Sequence, residues 1–101
     1  AMPPVQRTDP AREKALAEER QRLMLMAARV NAVKSSMANL QRQQAAMGMG
    51  MRGDMVAAHQ RMEFHLDEGE RALKNGDAAA AKRSFDAAER ELERLEGWLG
   101  R

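Results

Sequence analysis

Residues 62–95 read MEFHLDEGERALKNGDAAAAKRSFDAAERELERL, and this stretch decides the fold. Before Asn75-Gly76-Asp77, the residues Met62, Leu66, Gly69 and Leu73 recur at spacings of three and four. After it, Ala81, Phe85, Ala88, Leu92 and Leu95 do the same. Such spacing marks one buried face of an α-helix. Asn75 and Gly76 tolerate the left-handed backbone that ends a helix, and Asp77 offers a carboxylate to cap the next one. A turn this short makes the flanking helices antiparallel neighbours. The small residues Gly69, Ala81 and Ala88 let them approach closely. The spacing therefore predicts helices over about 54–74 and 77–97, with Met55 and His59 extending the first stripe and Leu99 the second. Phe85 is expected against the 62/66/69 face.

Upstream, Gly48, Gly50 and Gly53 fall within six residues and predict a connection at 48–53, with Asp54 as the following N-cap. A single helix bending here is the competing reading, since Met49, Met51 and Arg52 are good helix formers. Before the glycines, residues 10–47 hold no Gly and only the opening Pro. Asp9-Pro10 forms a sharp helix start, because Pro at the first helical position loses no hydrogen bond. Leu16, Leu23, Val30, Met37 and Gln44 form one heptad row, and Glu19, Met26, Val33, Leu40 and Met47 the other. Together they make a seam for another helix. Residues 1–9, with Pro3 and Pro4, read as an extended arm or the end of a linker, and Ala1-Met2 as either a cloning scar before a native start or a boundary from which an upstream segment was removed. Residues 10–101 read as one helical domain.

The expected fold is all-α: an antiparallel three-helix bundle or coiled coil whose first helix is much the longest. At 1.5 Å per residue the first helix spans about 55 Å and the others roughly 32 and 31 Å. The difference leaves about 20 Å of seam uncovered, and an exposed apolar seam marks a partner. The partner-binding residues are expected to be Leu16, Glu19, Leu23, Met26 and Val30. Glu19 at a seam position disfavours a parallel pair, where like charges meet. An antiparallel homodimer centred on 16–30, or an equivalent helix of a parent or partner chain, is expected.

Composition narrows the classes further. The 101 residues include 9 Met but only 2 Phe, 1 Trp, no Tyr and no Cys, so neither strands nor thiol chemistry are favoured. No apolar run reaches the roughly 18–20 residues that span a bilayer, and no signal peptide is visible, so membrane insertion is not expected. Net charge is +2, but residues 1–47 hold eight Lys/Arg against four Asp/Glu, and residues 48–101 hold nine against eleven. The two halves are therefore suited to attract each other.

No nucleophile–base pair or phosphate-binding loop appears, so no catalytic residue and no cofactor are expected. Met51, Met55, His59 and Met62 carry an alternative, a small Cu(I)-handling protein, because thioethers and imidazole are soft ligands. The same residues also form the core stripe, which is the expectation adopted. His59 and His65 match no zinc spacing. Arg7, Arg12, Arg20, Arg22, Arg29 and Arg42 raise a nucleic-acid reading, but stacking aromatics are missing and acids share the helix, so no nucleic-acid partner is expected. Arg52-Gly53-Asp54 spells an adhesion tripeptide, yet its Gly and Asp already serve as turn and cap. Glu89, Glu91, Glu93 and Glu96 interleave with Arg90 and Arg94 as solvated pairs along one helix.

Through Gly69, Asn75-Gly76-Asp77, Ala81, Phe85 and Ala88, the hairpin resembles a tetratricopeptide repeat over 62–95. It departs from that pattern at His65 and Ala72, where aromatics are usual, and in lacking a closing Pro. A single copy implies no peptide-binding solenoid. Gly50-Met51-Arg52-Gly53-Asp54-Met55-Val56-Ala57-Ala58 and residues 91–101 resemble helical tails of bacterial signalling proteins such as serine/threonine kinases. That resemblance implies the C-terminal part of a larger bacterial protein, with a role in assembly or protein interaction rather than catalysis.

Overall fold

A computed structural model describes residues 9–101, all of the chain apart from the first part of the expected arm. Three helices follow in order: α1 over Pro10–Ala46, α2 over Gly53–Lys74 and α3 over Ala78–Leu99. No strand occurs among the described residues. The chain breaks at the glycines, where Gly48 takes the left-handed φ of 72°.

Capping follows the sequence closely. The Asp9 carboxylate accepts from the Ala11 N–H at 3.1 Å, with Pro10 at the first helical position. Gly76 takes a φ of 72° in the tight turn, and Asp77 accepts from the Ala80 N–H at 2.9 Å. Asp54 differs from expectation. It lies inside the first turn of α2, where it accepts from the Met55 N–H, while Arg52 occupies the cap position without a side-chain cap bond. Its charge still suits the positive end of the helix.

α2 and α3 form the tight antiparallel hairpin. Phe85 is fully buried, and its ring lies directly over Gly69. A Cβ added at Gly69 would overlap the ring, standing 2.6 Å from Cδ1 and 2.8 Å from Cζ. Gly69 is thus the recess that admits the largest core side chain. Met62, Ala58, Ala81, Ala88, Leu92 and Leu95 complete this core without exposure.

α1 runs antiparallel to α2 and parallel to α3. Its start meets the hairpin turn, where the Arg12 Nε donates to the Gly76 carbonyl at 2.9 Å. Its later part meets the chain end, where Arg101 donates to the Ser36 hydroxyl at 2.9 Å. This register corrects the expected overhang. Helix length alone did not say which end would project, and the start of α1 is covered. Leu16, Met26, Val30 and Val33 lie in the intramolecular core. The projecting end is the C-terminal one, where Met47, expected in the seam, is exposed.

Replacing Phe85 with Ala should cost about 3–5 kcal/mol. Gly69→Ala gives a sharper check. Helix propensity alone favours Ala by about 1 kcal/mol, yet the overlap with Phe85 should lower the melting temperature. A raised melting temperature for Gly69→Ala would contradict the packing described.

Candidate interaction surface

The rotation of α1 decides which of its faces is available. Arg22 and Arg29 stand seven residues apart, two helical turns on one side. Glu89 and Glu96 stand seven apart on α3. Arg22 reaches Asp86 at 2.8 Å and Glu89 at 2.7 Å. Arg29 reaches Glu89 at 3.1 Å and clasps Glu96 with two bonds of 2.6 and 3.1 Å. Glu89 and Glu96 were expected in solvated pairs within α3, and they instead bridge to α1. Glu91 keeps such a pair, with Arg94 at 3.7 Å, and also accepts two bonds from Arg61 of α2 at 3.0 and 3.1 Å. The matched seven-residue spacing of opposite charges was the available sequence signal.

The bridges shift the titration of their members. Hydrogen bonds from Arg22 and then Arg29 hold Glu89 below its ordinary range, and Arg29 does the same for Glu96. Lys82 and Arg22 lower Asp86. Arg29 is raised, first by Glu96. Burial opposes the charge on Arg22, but bonds to Glu89 and Asp86 outweigh it and raise its pKa.

With these arginines turned to α3, α1 leaves a different face in solvent. Met24 is 75% and Leu25 66% exposed. Beside them Gln21, Ala27, Ala28, Asn31 and Ser35 are exposed and uncharged. Between this face and α2 lies an open groove, because α1 packs along α3 and touches α2 only thinly. The groove widens to a cavity of about 480 Å³ bordered by Arg20, Leu23, Glu70, Leu73 and Lys74. A further recess of about 200 Å³ is lined by Ala27, Asn31, Leu66 and Asp67 among others. Among the described residues, one ion pair joins α1 to α2, Lys34 to Glu63 at 2.9 Å.

The expected partner residues separate on this geometry. Leu23 alone remains partly open and borders the groove. Leu16, Met26 and Val30 are covered by the chain itself. Glu19 is 8% exposed and meets its own Arg22 at 3.4 Å, rather than an arginine from another helix. Met24 and Leu25 were missed because they fall outside the heptad seam.

The Met and His residues separate too. Met55 and Met62 are buried in the core, whereas Met51, which packs against that core, and His59 are partly open. Those two line a cleft of about 400 Å³ near the end of α1, together with Met37 and Lys34. Lys34 there is paired with Glu63 at 2.9 Å, and the same carboxylate lies 3.5 Å from the His59 ring. Among the described residues, no group of three or more His, Cys, Asp or Glu is placed to hold a metal ion. Of the arginines weighed for nucleic acid, Arg22 and Arg29 are paired with acids, Arg12 is spent on the hairpin turn and Arg7 lies outside the described residues. Arg52 pairs with Asp54 and lies over the Trp98 ring at 5.3 Å, which occupies the adhesion tripeptide internally. No described helix is long and apolar enough to cross a membrane.

Two outcomes follow from this geometry. The bridging carboxylates titrate lower in the folded chain than in the unfolded one. Their contribution is therefore full above the unfolded value of about 4.3 and is lost as pH falls through the folded values. The melting temperature should hold between about pH 7 and 5 and drop below about pH 4. Arg29→Met should flatten that acid limb, and an unchanged limb would mean the acids owe their shift to other groups. Separately, Met55→Leu with Met62→Leu should leave helicity and melting nearly unchanged, as volume-conserving core swaps do. Cu(I) binding present in the wild type and lost in this variant would contradict a packing role.

Comparison with protein-family models, curated proteins and solved structures gives no match to this chain.

Proposed function

We propose that this chain is a non-catalytic helical interaction module that assembles through the outer side of α1. The observation that carries the reading is the pair Met24 and Leu25, 75% and 66% exposed on the outer side of α1, while Leu23 of the same turn borders an open groove. A contiguous apolar surface edged by charge is the usual mark of a protein-binding site. Nothing on α1 requires both residues for folding, since the intramolecular seam lies on the opposite side. The occupant is a second copy or a helix of a parent or partner chain. The resemblance of 50–58 and 91–101 to tails of bacterial signalling proteins supports a place at the C-terminal end of a longer bacterial protein. Tethering there would raise the local concentration of the module.

Mass in solution tests the reading. Above tens of micromolar the wild type should exceed the 11.3 kDa of one chain. Met24→Glu with Leu25→Glu should return it to that mass. Melting of the dilute protein should change little, because substitutions at such exposed positions usually fall within about 0.5 kcal/mol. A wild type that stays at single-chain mass to high micromolar concentration counts against the reading.

A further inference from the structure

The groove between α1 and α2 carries unmade charges of both signs. Arg20 stands on the α1 rim, and Asp67, Glu70 and Lys74 stand on the α2 rim, where the acids outnumber the lysine. None of the four has an ion-pair partner among the described residues, although Arg22 and Arg29 on the same helix as Arg20 are paired with acids of α3. A surface carrying both halves of an unmade ion pair is complementary to itself under a two-fold rotation. That is the geometry of an isologous dimer.

Resting on the assembly reading above, we propose that each groove receives α1 of a second copy, antiparallel to its own α1, about a two-fold axis at Met24. One observation sets the direction and the register. Asp67 and Glu70 lie beside the part of α1 that holds Leu23, Ala27 and Asn31. For Arg20 of the second copy to reach them, it must come level with residues a few positions past Met24. Antiparallel helices do this when they cross at Met24, so that Met24 meets its own counterpart. A parallel pair would instead set Arg20 against Arg20 and leave the acids unmet.

The contact side of α1 suits a close crossing. Ala17, Met24, Asn31 and Ala38 recur every seven residues, with Ala27 and Ala28 between them. Small side chains allow helix axes to approach to about 8 Å. Met24, 75% exposed, then falls at the centre of the interface, where burial excludes water most completely, with Leu25 about 100° around the helix at its edge. The groove floor, Leu23, Leu66 and Leu73, is covered by the incoming helix. Two α1 helices and two α2 helices make a four-helix core.

The chain has no Cys, so single introduced cysteines report the geometry directly. Met24→Cys should cross-link to itself under mild oxidation or with a short bismaleimide. Ala17→Cys alone should not, but a mixture of Ala17→Cys and Asn31→Cys should give the mixed dimer. Because Met24→Cys also removes an apolar contact, charge reversal supplies an independent readout. Arg20→Glu should weaken association at least tenfold, as should Asp67→Lys with Glu70→Lys. Mixing the two variants should restore a heterodimer. Self cross-linking of Ala17→Cys, or charge reversals that leave association unchanged, overturns the antiparallel groove arrangement. If Met24→Glu with Leu25→Glu still abolishes association in that case, the broader assembly reading survives. A wild type that is monomeric at every concentration removes both.

Discussion

The arginine clamp between α1 and α3 is the constraint on which the rest of the arrangement depends. Arg22 and Arg29 meet Asp86, Glu89 and Glu96 across the helix boundary; Glu96 is clasped by Arg29 through two bonds, and Glu89 bridges the two arginines. Charge-assisted, bidentate bonds carry geometric specificity as well as energy. Apolar packing alone would specify α1 weakly, because its core residues are Leu, Val and Met that tolerate small rotations. A fork of two guanidiniums on three carboxylates does not. It sets the helix so that Leu16, Met26 and Val33 face inward and Met24 and Leu25 face out.

The same clamp explains why the molecule is asymmetric about α1. All of its bridges lead to α3, while α2 receives a single lysine pair. The hairpin, in turn, is held by Phe85 over Gly69 and by the Asp77 cap. A hairpin with a third helix bound along one edge leaves the other edge open. The groove thus arises from how the charges are distributed, and its mixed rim is what remains after the internal pairs are made.

Local signals in the sequence were enough for the elements. Pro10, the three glycines and Asn75-Gly76-Asp77 set the helix bounds within a residue or two, because each acts on backbone angles in its own vicinity. The inward stripe of the hairpin was legible as well, since the turn fixes which residues face each other. The placement of α1 was not. Its seam identified a buried face, but a heptad row carries no information on which end of a longer helix projects. Leu16 and Met26 therefore looked available when they are covered. The interhelical role of Glu89 and Glu96 was hidden by closer arginines on their own helix. The exposed pair Met24 and Leu25 was hidden by a pattern that counts only regular rows.

Met24 and Met26 are two residues apart on one helix, about 200° around its axis, and they allow the most direct check on how α1 is set. Methyl relaxation by a soluble paramagnetic agent should be measured in dilute protein, for both residues in one spectrum. The arrangement described here predicts strong relaxation of Met24, which is 75% exposed, and protection of Met26, which is 2% exposed. Removing both arginines, as Arg22→Met with Arg29→Met, should narrow that difference. Equal relaxation of the two methyls in the wild type, or stronger relaxation of Met26, would contradict it.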